Sequence, residues 1–144
     1  MIEMLVVFIV FGISAMIATR SVGDTLRRDR VSKASAVLSA DIEQAFALAA
    51  RQRSPIRIAL NRANRTFVVI DRADTTVKYR TRNFKTGEFS LDTIMRNRDS
   101  LDIMPNGLAT DTLSLTLGIF TKGGALYTRT IRVTRGGLVR IGNQ

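Results

Sequence analysis

Cysteine, histidine and tryptophan are absent from this sequence of 144 residues, which also contains only two tyrosines. Zinc, haem and iron–sulfur sites need thiolate or imidazole ligands, so the composition excludes them along with Cys and His nucleophiles. We therefore predict no metal site, no cofactor and no catalytic residue. The lack of cysteine leaves the compartment open, because a protein without disulfides can lie on either side of a membrane.

The length leaves room for one folded domain and little else. Apolar residues make up 45% of the chain and charged residues 24%. These proportions are close to the averages for folded proteins, so they exclude a disordered chain, a collagen-like repeat and a disulfide scaffold.

The excess of positive charge lies after residue 50. The net charge is +10, yet residues 1–50 contain five basic and five acidic groups. Residues 51–98 carry twelve basic groups against four acidic ones, and residues 112–144 carry five basic groups and no acid. Such a surface attracts polyanions, which include nucleic acid, anionic lipid headgroups and acidic proteins. Charge alone does not choose among them.

The first segment is uncharged from Met4 to Thr19. As a helix it extends for about 24 Å, close to the ~30 Å hydrocarbon core of a bilayer. A secretory signal begins with basic residues and ends at a cleavage site, whereas the first charge here is Glu3. A buried helix of a soluble domain needs a wider core than one small domain provides. The pattern favours a membrane anchor over both alternatives.

The helical pattern continues beyond this anchor. Apolar residues recur at a spacing of three and four, which places them on one face of a helix. They are Val31, Ala34, Leu38, Ile42, Ala45, Phe46 and Ala49. Pro55 predicts the stop, since proline breaks the hydrogen bonding of a helix interior. We therefore predict an amphipathic helix over residues 29–53.

After Pro55 the apolar period changes from 3.6 to 2, which is typical of β-strands. The predicted strands cover residues 56–60, 66–71, 77–80, 112–120, 126–134 and 138–141. Gly136 and Gly137 indicate a two-residue hairpin loop between the last two strands. Residues 83–101 show no clear pattern.

The predicted fold class is α+β, with a long N-terminal helix packed on a small antiparallel sheet domain. Residues 1–28 are expected to form a transmembrane or filament-core helix. Residues 29–144 are expected to form a soluble domain, with the amphipathic helix at 29–53 and the antiparallel sheet at 56–142.

This order of elements resembles the type IV pilin and pseudopilin superfamily, and within it the GspH/FimT branch of minor subunits. Residues 2–7 are similar to the stretch after a prepilin cleavage site, where a glutamate, here Glu3, lies a few residues into an apolar helix. Residues 38–53, 104–107 and 132–141 are similar, in that order, to the second helical half, a turn and the terminal hairpin of the branch.

The resemblance implies a structural subunit and not an enzyme. It implies a minor pseudopilin of a type II secretion pseudopilus or a type IV pilus, which contacts other pilins or pseudopilins through its N-terminal helix. The expected location is the bacterial inner membrane, crossed once, with the C-terminal domain in the periplasm.

The resemblance also implies a role for Glu3, which would pair with the N-terminal amine of a neighbouring subunit. The alternative is an interfacial residue at the end of a helix. Pilins carry a basic leader that ends in glycine and is removed before the new N-terminus is methylated. Met1 stands only two residues ahead of Glu3, so we expect the leader and its cleavage site to lie outside this sequence.

A second function, binding of double-stranded DNA in DNA uptake, follows from the terminal hairpin. Some FimT-type members bind DNA through a Gly-Arg-x-Arg pattern, and the matching residues here run from Gly137 to Arg140 with Leu138 in place of the first arginine. The candidate DNA-binding residues are therefore Arg132, Arg135 and Arg140. Few aromatic residues are available to stack on bases, and charged residues on strands are also common as solvated faces.

An enzyme would have to use paired carboxylates. The sequence offers Asp99 with Asp102 and Asp41 with Glu43. Neither pair is accompanied by a nucleophile, a phosphate-binding glycine loop or a metal site, so catalysis is the least supported function.

Overall fold

The computed structural model describes residues 2–143, apart from the side chains of residues 17–21 and 143. One helix precedes eight strands, which confirms the predicted α+β class. The elements are α1 (Ile2–Gln52), β1 (Ile56–Asn61), β2 (Thr66–Asp71), β3 (Lys78–Asn83), β4 (Thr93–Arg96), β5 (Ser100–Ile103), β6 (Leu113–Phe120), β7 (Leu126–Val133) and β8 (Val139–Asn143).

α1 is one continuous helix of 51 residues. Neither Gly12 nor Gly23 interrupts it. It ends at Gln52 because Arg53 adopts a left-handed backbone, with a φ of 50°, and Pro55 prevents another turn. Across residues 2–143, no helix combines the length and the apolar content that crossing a membrane requires.

The strands divide between two antiparallel sheets, whereas the sequence suggested one. Sheet A has the order β3-β2-β1-β5, and sheet B has the order β4-β6-β7-β8. The six predicted strands are all present. β4 and β5, which lie within the undecided residues 83–101 and their border, contain four residues each, with one buried position in β4 and two in β5. A strand so short shows too little alternation to be recognised.

Both sheets pack against the predicted apolar stripe of α1. Val31, Leu38 and Ile42 are fully buried there, and so are three alanines of the same stripe, Ala34, Ala45 and Ala49. Sheet A contributes Ile58 and Phe67 to the same core, and sheet B contributes leucines and isoleucines of β6 and β7. Each such large side chain stabilises the fold by roughly 1.5–3 kcal/mol through its removal from water.

A buried ion pair fastens α1 to the edge of sheet A. The side chain of Asp41 is only 5% exposed. Its carboxylate accepts hydrogen bonds from Nε of Arg82 at 2.7 Å and from Nη2 of Arg82 at 3.3 Å, and Nε of Arg80 lies at 3.5 Å. Charge-assisted, two-pronged contacts of this kind fix orientation, so β3 has one position along the helix.

A second ion pair joins β1 to β5 inside sheet A. Arg57 and Asp102 are opposite each other in the register, and the guanidinium donates two bonds of 2.6 and 3.0 Å to the carboxylate. These bonds, with further attraction from Arg72, hold the pKa of Asp102 below its ordinary value. The stabilisation is therefore present at neutral pH and is lost in acid, as the pH falls through that lowered pKa.

Three turns share one geometry. In each turn, the carbonyl of the first residue accepts a hydrogen bond from the N–H three residues later, and the N–H of the first residue donates to the carbonyl four residues later. The fourth residue is a glycine with φ near 80°. The turns are Met104–Leu108, Thr121–Ala125 and Thr134–Leu138. This is a type I turn followed by a left-handed residue, which suits a three-residue hairpin loop.

The turn between β7 and β8 is therefore longer than predicted. Its loop comprises Arg135, Gly136 and Gly137, and not the two glycines alone. Gly137 has a φ of 80°, and a Cβ placed on it would lie 3.0 Å from Cδ1 of Phe46 on α1. The hairpin thus rests against the helix at a position where only glycine fits without strain.

We predict that Gly137→Ala destabilises the full-length protein by about 1–3 kcal/mol, because alanine must hold a left-handed backbone and push against Phe46. Gly136→Ala is the matched control, since nothing lies within 4 Å of the Cβ it would add. Urea unfolding followed by circular dichroism in detergent measures both. Equal midpoints for the two variants contradict the prediction.

Candidate assembly and anion-binding surfaces

The N-terminal part of α1 exposes a run of large apolar side chains. The large apolar side chains from Ile2 to Met16 are all more than half exposed. Burying such side chains is favourable by roughly 25 cal/mol for each Å² removed from water, so this surface is suited to a lipid or protein environment.

Three polar contacts fasten α1 to the β6–β7 hairpin just beyond this surface. Asp24 accepts a bond of 3.1 Å from the backbone N–H of Lys122. Arg27 donates a bond of 2.6 Å to the carbonyl of Phe120, and the guanidinium of Arg28 lies 5.6 Å from the ring centre of Tyr127. We call these contacts the hairpin clamp. The clamp fixes the direction in which the exposed part of α1 leaves the sheet domain.

Glu3 lies in the first turn of α1 with an exposed side chain. A carboxylate is favoured there because the free N–H groups of the first helical turn carry partial positive charge. Within the part of the chain that the structure describes, no cation is within ion-pair distance of Glu3. Its carboxylate is thus free to meet a positive group of another molecule.

Two of the three candidate DNA-binding arginines lie side by side. Arg132 of β7 and Arg140 of β8 are register partners, so their side chains share the outer face of sheet B, away from α1. Side chains of such partners are about 5 Å apart at Cβ, and like charges in this arrangement repel. Among residues 2–143 neither arginine forms an ion pair with a carboxylate. The pair is an unbalanced double positive charge.

Arg135, the third candidate, is placed differently. It lies in the β7–β8 loop, and its Nη2 is 3.9 Å from the Asp111 carboxylate. Asp111 is also paired with Arg98. One carboxylate therefore offsets part of the charge of two arginines, and Arg135 is a weaker anion site than the pair of Arg132 and Arg140. Leu138, at the position of the missing motif arginine, is exposed.

Three of the four carboxylates considered for catalysis are engaged in structural ion pairs. Asp102 bonds to Arg57, Asp99 bonds to Arg96 across a tight turn, and Asp41 bonds to Arg82. A general acid or base needs a carboxylate that faces a substrate cleft with a perturbed proton affinity suited to transfer. These three groups instead fix strands and a turn in place.

The hairpin clamp was not predicted from the sequence. Asp24, Arg27 and Arg28 are an acid and two bases on the polar side of a helix, and their partners are more than 90 residues away. The charges of these residues show where the apolar segment of α1 ends. They do not show which residues of the sheet domain they contact.

Solved structures share this fold. The chain is similar to the type IV minor pilin FimU of Pseudomonas aeruginosa PAO1, with 16% identity over 80% of this chain and 90% of that chain and a TM-score of 0.62. It is also similar to the minor pseudopilin EpsH of the type 2 secretion system of Vibrio cholerae, with 12% identity, 79% and 97% coverage and a TM-score of 0.59. No family profile and no curated protein matches the sequence. The chain has a pilin-like fold, which confirms the resemblance seen in the sequence.

We predict that Arg140→Glu stabilises the protein by about 0.2–1 kcal/mol, because it replaces repulsion with Arg132 by attraction across the strands. The stability of Arg140→Gln, which only removes the repulsion, should lie between those of the unaltered protein and Arg140→Glu. Thermal unfolding in low-salt detergent buffer gives the order of melting temperatures. A melting temperature for Arg140→Glu below that of the unaltered protein contradicts the prediction.

Proposed function

We propose that the protein is a minor pilin or pseudopilin, a structural subunit of a type IV pilus or a type II secretion pseudopilus. The observation that carries the proposal is the exposed apolar surface of α1, from Ile2 to Ile13, held in a fixed direction by the hairpin clamp. A subunit that bundles its helix with others needs this combination of an exposed apolar helix and a rigid domain. FimU and EpsH, which share the fold, are described as a minor pilin and a minor pseudopilin.

The proposal assigns residues 1–28 to the filament core and residues 29–144 to the sheet domain, which faces outward. Before assembly the same helix holds the chain in the bacterial inner membrane, crossing it once, with the sheet domain in the periplasm. The sixteen uncharged residues from Met4 to Thr19 support this step. Extraction of cell membranes with carbonate, followed by immunoblotting, tests it: a protein recovered in the soluble fraction excludes the anchor.

Glu3 is the proposed assembly residue. In an apolar bundle its carboxylate attracts the N-terminal amine of a neighbour, because the interaction of charges strengthens as the dielectric constant falls. This pairing sets the axial position of one subunit relative to the next. Its effect on assembly is separable from folding, since the bundle surface lies outside the core of the sheet domain.

Glu3→Ala should lower the amount of subunit in the sheared filament fraction about tenfold, equivalent to the loss of ~1.4 kcal/mol. Glu43→Ala is the matched control, because Glu43 is an exposed acid of the same helix within the sheet domain. Quantitative immunoblots of the filament fraction, normalised to total cellular protein, measure both variants. Equal incorporation of the two variants contradicts the assembly role and indicates that Glu3 is an interfacial residue at the helix end.

One observation favours DNA binding as a second candidate function. Arg132 and Arg140 form an adjacent, unbalanced pair of positive charges on an exposed sheet face. Each guanidinium can contact one phosphate of double-stranded DNA and release a counterion. Such contacts carry no sequence preference, which suits capture of DNA from any source. Arg135 would add a weaker contact, because Asp111 offsets its charge.

Replacing Arg132 and Arg140 together by Gln should flatten the plot of log affinity against log salt by up to about two units, roughly one for each phosphate contact. A double replacement of Arg62 and Lys85 by Gln removes the same charge from exposed positions on other turns and should leave the slope unchanged. Fluorescence anisotropy with a labelled duplex measures the slopes. Leu138→Arg should tighten binding. Identical slopes for both double variants reject this site.

A further inference from the structure

Exposed apolar side chains extend along the outer face of sheet B, from the Phe120–Leu126 end of β6 and β7 to the middle of the sheet. In this sheet alternate residues face α1, and those between them face outward. Phe120 and Leu126 are register partners on the outward side, and both are exposed, Phe120 by 48%. Met95, on the neighbouring strand β4, is 46% exposed. Water therefore contacts three large apolar side chains on one flat surface.

The centre of this surface is lined by methyl groups that close over Gly118. A Cβ on Gly118 would meet Cγ2 of Thr93 at 2.8 Å, Cδ1 of Leu126 at 3.1 Å and Cγ2 of Thr128 at 3.3 Å. Glycine at this position lets the three side chains approach one another, and the surface stays level and apolar. We call Thr93, Met95, Phe120, Leu126 and Thr128 the methyl patch.

Phe120 and Leu126, at one end of the methyl patch, lie beside the point where α1 leaves the sheet domain. The hairpin clamp joins α1 to Phe120 and Lys122 at this end of the sheet. The arginine pair lies at the other end, because Arg132 follows Leu126 by six residues, about 20 Å along an extended strand. The Phe120–Leu126 end of the patch is thus next to the proposed assembly helix and separate from the candidate DNA site, whereas Met95, opposite Thr116 in the register, lies between the two.

The other exposed large apolar side chains that the structure describes in the sheet domain do not form such a group. They lie singly on turns or on an edge strand, and they are Val77, Leu108, Leu138 and Ile141. Single exposed apolar residues are common on protein surfaces, whereas a contiguous set marks an interface.

The charge around the patch argues against a second copy of the chain as its occupant. Each of the two nearby carboxylates accepts a backbone hydrogen bond, Asp24 from the N–H of Lys122 and Asp92 from the N–H of Phe120. The ammonium group of Lys122 is exposed, and within residues 2–143 it has no carboxylate partner. Two chains of net charge +10 would also repel each other.

We propose that the methyl patch docks the sheet domain of a different pilin-like subunit, whose matching surface is apolar and edged by carboxylates. The inference rests on the proposed function, because a helix bundle brings a neighbouring domain to this end of the molecule. It adds a second, domain-to-domain contact that selects the neighbour, whereas the helix contact is common to all subunits. Burial of the patch supplies affinity, and Lys122 supplies the charge preference.

Site-specific photocrosslinking in cells that carry the assembly machinery of this chain tests the inference. The full-length chain carries p-benzoylphenylalanine in place of Phe120, of Leu108 or of Phe8, one position at a time. Leu108, which is 51% exposed on a turn, is the matched surface control, and Phe8 reports on the bare part of α1. Adducts are identified by mass spectrometry.

The expected result is an adduct from position 120 with a different chain that has an apolar N-terminal stretch and an acidic domain, at least about tenfold more abundant than from position 108. Lys122→Glu should lower this yield about tenfold, the size of a ~1.4 kcal/mol loss, and Lys85→Glu should leave it unchanged. An adduct with a second copy, with lipid or with nucleic acid overturns the inference. If an adduct forms from position 8 but not from position 120, the domain-to-domain contact is rejected and the proposed function stands. If no adduct forms from either position, both the domain-to-domain contact and the proposed function are rejected.

Discussion

The small side chains of the buried helical stripe allow two sheets to meet on one helix. Ala34 is buried before Leu38 on this stripe, and Ala45 and Ala49 are buried after Ile42, so the backbone of α1 can approach the strands closely at the alanine positions. Sheet A and sheet B then share a single core, and no second helix within residues 2–143 covers them. The positions of every strand, and of the surfaces that the strands present outward, depend on this contact.

The same helix separates two environments along its length. Its C-terminal half is buried in the core, and its N-terminal part is bare and apolar. The transition falls at the hairpin clamp, where Asp24 and Arg27 bond to backbone groups of the β6–β7 hairpin. Further along α1, Asp41 is held by Arg82 of β3 and Phe46 supports Gly137. Polar contacts at intervals along the helix therefore set its orientation, which apolar packing alone leaves adjustable.

The sequence predicts the fold well where the pattern of side chains is long. The stripe from Val31 to Ala49 covers more than five helical turns, and six strands carry enough alternation to be recognised. The resemblance to pilins adds the connection between them. The short strands β4 and β5 were not predicted, since their four residues supply only two periods of alternation. The division into two sheets depends on which edges pair, and pairing across long sequence separations leaves no local signal.

Prediction of the candidate site residues from the sequence is limited in the same way, because their pairing depends on distant parts of the chain. The charge pattern indicated Arg132, Arg135 and Arg140, but only the register of β7 and β8 places two of them together. The offset of Arg135 by Asp111 joins residues 24 positions apart, which no periodicity reveals. The methyl patch was missed because Met95, Phe120 and Leu126 come from three strands, and each alone reads as an ordinary boundary residue. Sequence patterns identify which face of an element is buried, and the fold decides which exposed faces meet.

The four outer strands of the two sheets also bear on self-association. An unpaired strand can recruit the same strand of another molecule into a continuous sheet. β3 carries Lys78, Arg80 and Arg82, so a like strand beside it would bring positive charges together. The free side of β5 is partly closed by the bridge between Ile103 and Ala109, β4 has only four residues, and β8 carries Arg140. The basic composition therefore protects a sheet-rich chain against aggregation while its apolar helix remains uncovered.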